Sequence, residues 1–335
     1  MEFGLILEWI LKSLVIILAM TGGFAYLTWM ERKVLARMQV RYGPNRAGPF
    51  GLLQPVADGI KLIFKEELIP GSADKFLFIL APVLTVIPAL IITAVIPWGD
   101  FSFTVGGQEI SMNLANVNVG VLYILSVTSI SVYGITLAGW ASNNKYAMMG
   151  GLRATAQMIS YELAMGFAVM GPIMMAGSMG ILDIVRAQKP MWYIVLQPVA
   201  FVIFYIVTLA EVNRAPFDMP EAEQELVAGY HSEYSGMKFA LFFMAEYIKM
   251  IAVAIIGSSL FLGGFQGPFV EQLPWLGPIY LFIKVIAWLF TMIWIRATLP
   301  RIRYDRLMSF GWKILFPIAL LNVIVTAAIV LLIGA

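Results

Sequence analysis

Three glutamates, Glu162, Glu211 and Glu246, lie within or at the end of strongly apolar stretches of this 335-residue sequence. Glu162 follows Arg153 by nine residues and Glu246 follows Lys238 by eight, so each lies about 12–13 Å into a helix that rises ~1.5 Å per residue. A carboxylate is costly to bury in hydrocarbon and usually faces water or a cation inside the protein. Three such acids at one estimated depth favour a water-filled proton path, with structural ion pairs as the alternative.

Two lysines lie in similar surroundings. Lys249 follows Glu246 by three residues, which makes these two the obvious structural pair. Lys284 precedes Arg296 by twelve residues, or about 18 Å, which places it near the bilayer centre. Because a buried lysine readily exchanges a proton, Lys249 and Lys284 are candidates for the same path, although pairing with a carboxylate would also explain them.

The elements that must position these groups are membrane spans. The chain is 60% hydrophobic and 13% charged, against about 25% charged residues in an average soluble domain. A helix crosses a bilayer with about 20 apolar residues, and strand-like alternation is absent from the long apolar stretches. We therefore predict an all-α polytopic membrane protein, a single membrane domain over 1–335, with eight transmembrane helices. They lie at 8–30, 76–98, 117–141, 153–177, 191–212, 239–263, 278–298 and 312–333.

The distribution of cations predicts the orientation. Of the 22 Lys and Arg, 17 lie in segments 31–75, 142–153, 213–238 and 296–313, and three lie on the alternate side. The positive-inside rule then places those four segments in the cytoplasm and both termini outside. The net charge of +2 reflects this topology and does not indicate a nucleic-acid partner.

The segment "RYGPNRAGPFGLLQPVADGIKLIFKEE", residues 41–67, differs from the spans around it. Its first part combines Pro and Gly in the manner of a shaped loop. Its second part repeats apolar residues at spacings of three and four, with polar residues on the opposite face. This pattern predicts an amphipathic helix of about four turns at the membrane surface. The apolar set is Leu52, Leu53, Val56, Ala57, Ile60, Ile63 and Phe64, and the polar set is Gln54, Asp58, Lys61 and Lys65.

Other chemistries are disfavoured by what the sequence contains. It has no cysteine and one histidine, His231, which excludes an Fe–S cluster held by this chain and disfavours a haem or metal site. We find no phosphate-binding loop, no dinucleotide-binding glycine motif and no Ser-His-Asp arrangement. Segment 99–116 alternates enough to predict a small β-hairpin.

Four long motifs resemble one family, the H subunit of bacterial NADH:quinone oxidoreductase, respiratory complex I, which is the counterpart of mitochondrial subunit 1. They are "ERKVLARMQVRYGPNRAGPFGLLQPVADGIKLIFKEELIP" (31–70), "RATAQMISYELAMG" (153–166), "AEVNRAPFDMPEAEQELVAGYHSEYSGMKFALFFMAEY" (210–247) and "WIRATLPRIRYDRLM" (294–308). The resemblance covers essentially the whole chain and includes the count of eight spans.

The resemblance implies a subunit that joins the membrane arm to the peripheral arm and forms a quinone tunnel from segments 31–75 and 213–238. It implies ubiquinone or menaquinone as substrate, with NADH, FMN and Fe–S clusters on partner subunits and no metal on this chain. The implied partners are the soluble quinone-module subunits, the small membrane subunits, the antiporter-like subunits and the lipid of the cell inner membrane.

The resemblance also assigns roles to residues of this sequence. The tunnel positions are Glu31, Arg32, Arg41, Asp58, Lys61, Arg214, Asp218 and Arg296. The membrane acids Glu162, Glu211 and Glu246, with Glu221, Glu223 and Glu225 of the acidic third loop, are implied to carry the coupling to proton translocation. Electron transfer is implied to occur on partner subunits, so no residue here is expected to be catalytic.

Two other functions stay open at the level of sequence. The homologous subunit of a membrane-bound NiFe hydrogenase, or of a ferredoxin- or F420-linked complex, would keep the acids, although the complete 41–62 motif disfavours the hydrogenase. A stand-alone ion transporter would also need buried acids. Large polar cytoplasmic segments without an obvious broken helix favour docking to soluble partners instead.

Overall fold

The computed structural model describes residues 2–105, 108–218 and 229–333, and these residues are mostly helical. Short 3₁₀ turns lie at Pro49–Gly51, Ile92–Val95 and Gly229–His231, and a π-helical segment lies at Gly311–Leu315. The two strands are β1 (Ser102–Val105) and β2 (Gln108–Ser111). The helices are α1 (Glu2–Met38), α2 (Gln54–Phe64), α3 (Lys75–Ile91), α4 (Gly120–Ala141), α5 (Lys145–Ala176), α6 (Ile181–Ala187), α7 (Tyr193–Leu196), α8 (Pro198–Glu211), α9 (Gly236–Phe261), α10 (Leu276–Thr298), α11 (Tyr304–Phe310) and α12 (Phe316–Ile333).

Seven helical segments among the described residues are long and apolar enough to cross a membrane, which makes this a multi-pass membrane protein. They correspond to seven of the eight expected spans. The remaining one, 191–212, is interrupted between α7 and α8, and α8 alone has 14 residues. The interruption has a local cause, because Pro198 lacks an N–H and disfavours helical backbone at Gln197, whose φ and ψ are −129° and 54°.

The most deeply packed span is α9: 67% of the residues in its most apolar stretch are buried, compared with 11% in that of α1. Close approach between helices depends on small residues, as is usual in membrane bundles. A Cβ at Gly134 of α4 would lie 2.5 Å from Thr85 Cγ2 of α3, and one at Gly150 of α5 would lie 2.7 Å from the Cα of Gly229. Larger residues there would push α4 away from α3, and α5 away from the turn that precedes α9.

The two ends of the bundle differ. One end, here called the loop face, carries residues 39–53 and 65–74 with α2 between them, and residues 212–218, 229–235 and 299–303. The other end, the hairpin face, carries residues 96–105, 108–119, 177–192 and 262–275. The predicted hairpin is confirmed, since β1 and β2 pair antiparallel with Phe103 opposite Ile110.

The helix predicted in segment 41–67 is present as α2, with 11 residues, about three turns. It starts later than the periodicity suggested because residues 49–51 form a 3₁₀ turn with Phe50 at a φ of 55°. In the isolated chain the predicted apolar side of α2 points outward, with Val56, Ile60 and Phe64 57%, 51% and 84% exposed. On the polar side, Asp58 contacts α1, where its carboxylate accepts a hydrogen bond of 2.6 Å from Arg32.

Candidate functional site: a buried charge cluster behind the loop face

Four charged side chains from different parts of the chain form one cluster. They are Glu31 of α1, Arg214 of the segment that follows α8, Glu246 of α9 and Arg296 of α10. Arg214 lies 3.3 Å from Glu31 and, through Nε, 2.6 Å from Glu246, while Arg296 donates to Glu31. Arg214 and Glu31 are 6% and 4% exposed. The charges alternate in sign along this chain of contacts, so each side chain has an opposite charge next to it. Such pairing is what makes burial of these charges tolerable.

The position of Arg214 is fixed by the backbone that carries it. The fully buried Gln157 of α5 donates from Nε2 to the carbonyls of Ala210 and Phe217, at 2.9 and 2.8 Å, and so clamps both sides of this turn. The guanidinium of Arg214 lies 4.3 Å from the ring centroid of Tyr247 on α9. The attraction between a guanidinium and an aromatic face offsets part of the free energy that the cation loses when it leaves water.

The charge state of Arg214 follows from its neighbours. Burial by itself lowers the pKa of Arg214, but the carboxylates of Glu246 and Glu31 raise it, and the net direction is upward. Arg214 is therefore a permanent cation between two carboxylates. Any change in the protonation of either acid alters a contact to this guanidinium.

A second pair lies deeper in the bundle. Lys249 of α9 donates to Glu211, the last residue of α8, at 3.3 Å, and these residues are 6% and 1% exposed. The expected pair of Glu246 with Lys249 is therefore wrong. Spacing along one helix could not reveal that α8 brings a carboxylate to Lys249, or that Arg214 approaches Glu246 from outside the helix.

A small cavity lies between the four-residue cluster and the Glu211–Lys249 pair. Its volume is about 30 Å³, and Glu211, Glu246 and Lys249 all line it, together with the polar residues Thr85, Ser131 and Asn213. That volume exceeds the ~10–15 Å³ a water molecule requires, and the polar lining offers partners for it. One carboxyl oxygen of Glu211, Oε2, is buried without a hydrogen-bond partner among the described residues. The cavity thus brings two of the three predicted acids into one hydratable space.

The third acid, Glu162, lies at the interface of α4 and α5. It is partly buried and accepts a hydrogen bond from Ser129 of α4. A second contact joins the same two helices. Thr136 of α4, seven residues after Ser129, shares a hydrogen bond of 2.6 Å with Thr155 of α5, seven residues before Glu162. Two helical turns separate these contacts, so they form a polar line of about 10 Å between the two helices. Sequence reasoning missed Ser129, Thr136 and Thr155, because hydroxyls are common in spans and only the α4–α5 pairing aligns them.

Four of the predicted tunnel residues, Arg32, Arg41, Asp58 and Lys61, lie near the surface. Arg32 of α1 and Asp58 of α2 form an ion pair of 2.6 Å, and Gln54 donates to the same carboxylate at 3.1 Å. Arg41 and Lys61 are exposed on the loop face. Arg32 follows Glu31 directly along α1, so the exposed pair and the buried cluster share one helix.

The third loop is tied to the segment after α10. Asp218 accepts from Arg301 at 2.9 Å, and the amide of Ile302 donates to the carbonyl of Pro216 at 3.0 Å. Glu221, Glu223 and Glu225 lie outside the described residues.

Lys284 is set apart from the other predicted coupling residues. Its ammonium donates to the carbonyls of Leu262, Gly264 and Gln266, at 2.6, 2.8 and 2.7 Å, where α9 ends at the hairpin face. It also lies 4.5 Å from the ring of Trp192. Three carbonyls use all three donors of the ammonium, and a cation at a helix C-terminus is electrostatically favourable.

Comparison with known proteins gives a consistent result. The family model described as NADH dehydrogenase matches residues 11–327. The chain is 50% identical over 329 residues to the H subunit of the NADH-quinone oxidoreductase of Thermomicrobium roseum, covering 95% of each chain. It is 52% identical to one H subunit, numbered 2, of the NADH-quinone oxidoreductase of Syntrophobacter fumaroxidans, covering 92% of each chain. It is 51% identical to the corresponding H subunit of Protochlamydia amoebophila, covering 90% of this chain and 91% of the relative.

Proposed function

Since this chain belongs to the NADH dehydrogenase family and is a membrane subunit of an NADH-quinone oxidoreductase, complex I, we propose that its loop face forms a quinone tunnel and that the acids behind it couple quinone reduction to proton translocation. The other subunits of complex I and the lipid membrane are its partners. The observation that carries the proposal is the connected set of charges from Arg296 and Glu31, through Arg214 and Glu246, to the cavity that holds Glu211.

The tunnel begins at α2. Its exposed apolar residues Val56, Ile60 and Phe64 supply a surface for an isoprenoid tail and rest in the membrane interface. The polar headgroup requires charged and hydrogen-bonding groups further in, which Arg32, Asp58 and then the Glu31–Arg214 contact provide. Arg41, Lys61 and Asp218 belong to the loop side of the same route. Cofactors that carry electrons (FMN and Fe–S clusters) reside on partner subunits.

The coupling path begins where the tunnel ends. A change of charge near Glu31 alters its contact to Arg214, which in turn alters the contact of Arg214 to Glu246. Because Glu246 and Glu211 line one cavity with Lys249, a proton that leaves one acid has a second acid within reach, across a space large enough for a water molecule. Glu162, with Ser129 and the Thr136–Thr155 contact, extends the path along the α4–α5 interface. Glu221, Glu223 and Glu225 of the third loop are proposed members of the same path. Lys284 is left out because backbone carbonyls occupy its donors.

The proposed topology has eight crossings with both termini on the outer side of the cell inner membrane and the loop face in the cytoplasm. The split span supports this count, because α7 and α8 together cover 193–211, whose 19 residues would reach about 28 Å if they were helical throughout, against a core of ~30 Å. The 17-to-3 distribution of cations supports the orientation.

The tunnel is tested by Asp58→Asn and Lys61→Ala in the assembled complex, with Lys75→Ala, an exposed lysine at the start of α3, as the matched control. We expect NADH:quinone activity to fall several-fold in both variants while electron transfer to an artificial acceptor at the peripheral arm is retained. If both activities declined in parallel with the amount of assembled complex, the substitutions would be structural and the tunnel assignment would lose its support.

A further inference from the structure

The extended segment that follows α2 is held by the residues at the start of α9. Helix α2 ends at Phe64, and Lys65 already has extended backbone, with φ and ψ of −74° and 134°. The amide of Leu68 donates to Oγ of Ser235 at 3.2 Å, and the same hydroxyl donates to the carbonyl of Glu66 at 3.2 Å. Because a hydroxyl offers one donor and two acceptor sites, one side chain satisfies two backbone groups of a segment without regular structure.

Ser235 does not use its hydroxyl in the way that its position predicts. It directly precedes α9 and has the extended backbone of an N-cap, with φ and ψ of −135° and 170°, yet its side chain makes no capping hydrogen bond to its own helix. Serine is favoured at N-caps because its oxygen accepts from the N–H groups of the first turn. Here the hydroxyl bonds the segment after α2 instead, so helix capping does not explain this serine.

Two neighbouring residues contact the same segment. Gly236 has a φ of 59°, and a Cβ at this position would lie 3.1 Å from the carbonyl oxygen of Lys65 and 3.0 Å from Cγ of Glu67. A larger residue would be strained at this φ and would press on the segment. Lys238, of the same turn, forms an ion pair with Glu67. Ser235, Gly236 and Lys238 are together called the α2 anchor.

Helix α2 is therefore held by two spans of the bundle. Asp58, near its middle, pairs with Arg32 of α1, whereas the α2 anchor joins its C-terminal end to α9. Phe64, which is 84% exposed, directly precedes the anchored segment. Both hydrogen bonds of Ser235 lie at the surface, so their loss should loosen the end of α2 without unfolding the spans.

We propose that Ser235 is a positioning residue for the quinone. Through the α2 anchor it fixes the place of Phe64, and with it the apolar surface over which the isoprenoid tail enters. This inference rests on the proposed quinone route and adds to it the group that holds α2 in register with α9. A residue of this kind acts on the binding of the tail, so its loss raises KM for quinone and leaves kcat unchanged.

The test compares Ser235→Ala with Ser235→Thr, which keeps the hydroxyl and suits the extended backbone at this position. Ser142→Ala is the matched control, because the hydroxyl of Ser142, directly after α4, donates to the Ala138 carbonyl of its own helix. In the assembled complex, hydrogen exchange of peptides over residues 54–68 measures how firmly α2 is held. KM and kcat are measured for a long-tailed quinone and for a quinone with a single isoprenoid unit.

We expect Ser235→Ala to accelerate exchange over residues 65–68 at least fivefold, the factor for one net hydrogen bond. KM for the long-tailed quinone should rise several-fold with kcat retained. The rise should be smaller for the short quinone, because less of its tail lies on α2. Ser235→Thr and Ser142→Ala should match the parent in exchange and in both kinetic constants.

Unchanged exchange in Ser235→Ala would overturn the anchor itself. Faster exchange with an unchanged KM, or with an equal rise for both quinones, would overturn its role in tail entry. Failure of the tunnel would be recognised separately, because Asp58→Asn leaves the α2 anchor intact. Normal NADH:quinone activity in Asp58→Asn would count against the route, whereas an effect there without one in Ser235→Ala would remove only the role of the anchor.

Discussion

The loop half and the hairpin half of this bundle both bury ionisable groups, but they satisfy them differently. Behind the loop face, charges meet charges: Arg214 lies between Glu31 and Glu246, and Lys249 contacts Glu211. At the hairpin face, Lys284 is satisfied by three backbone carbonyls. A backbone carbonyl cannot change its charge, whereas a carboxylate can, so protonation of a partner can alter the buried contacts of the loop half but not those of Lys284.

Gln188 shows how a buried polar side chain at the hairpin face is held by backbone groups. Buried Gln188 at the hairpin face donates to the Ser259 carbonyl at 2.8 Å and accepts from the amide of Gly263 at 2.9 Å, which ties α6 to the end of α9. In the loop half, Glu31 Oε2 and Glu211 Oε2 remain buried without a hydrogen-bond partner among the described residues. Incomplete satisfaction of a buried acid leaves room for protonation or for water, and we attribute coupling to that half.

The largest effect is expected from Arg214→Met. This change leaves the buried Glu31 and Glu246 without the cation between them, and breaking a buried ion pair costs about 3–5 kcal/mol. We expect the assembled complex to decrease at least tenfold, measured by native gel and by peripheral-arm activity in membranes. The double variant Arg214→Met with Glu246→Gln should recover part of the loss. Normal assembly of the single variant would show that Arg214 is not needed to hold the cluster.

Substitution of the two buried lysines should separate the two halves of the molecule. In complexes that assemble, Lys249→Met should impair quinone-linked turnover and proton translocation, because Glu211 loses its charged partner. Lys284→Met should lower thermal stability while preserving the number of protons translocated per electron, because only the capping of α9 is lost. If Lys249→Met kept the parent number of protons translocated per electron and Lys284→Met lowered that number, the assignment of coupling to the loop half would be reversed.

The polar line between α4 and α5 should show an intermediate effect. Thr155→Val removes the 2.6 Å contact to Thr136 with little change in shape. We expect slower turnover, by a few-fold, with assembly retained. Thr28→Val on α1, where the hydroxyl bonds only its own helix at the Ala25 carbonyl, is the control. Equal rates for the two variants would remove the α4–α5 line from the path.

The smallest effect is expected from Asp100→Asn at the hairpin face. The hydrogen bond from Arg186 holds the pKa of Asp100 below its ordinary value. The pair therefore stabilises the folded protein above the unfolded pKa of about 3.9, and this contribution is lost as the pH falls through the lower folded value. Since the pair is exposed, we expect a stability difference of at most about 1 kcal/mol. The difference in Tm between the parent and the Asp100→Asn variant should be the same at pH 8 and at pH 5, and it should shrink below about pH 4.

Hydropathy and local turn chemistry predicted much of the fold. The positions of seven spans, the 99–116 hairpin and the helix in segment 41–67 follow from patterns within single segments. The break at Gln197–Pro198 also had a local signal in the proline, but the strong apolar run around it outweighed that signal.

Side-chain partners were harder to predict, because they depend on how helices pack. Glu246 and Lys249 are neighbours on one helix, yet each has a partner from another segment. The carbonyl partners of Lys284 come from the end of a different helix, which the sequence of its own span does not indicate. The carboxylates were identified because burial of charge is costly in any packing, whereas the hydroxyls beside Glu162 carry no such cost.

The central claim is that Glu162, Glu211 and Glu246 are protonatable stations of one path. Its most direct test is quinone-dependent turnover measured together with proton translocation in reconstituted vesicles, for Gln and Asp variants at each position that assemble as the parent does. We predict that each Gln variant loses most of its coupled activity and that each Asp variant retains more, because the titrating group survives with a shorter reach. Turnover and translocation equal to the parent in all three Gln variants would contradict the claim and leave these acids as packing partners.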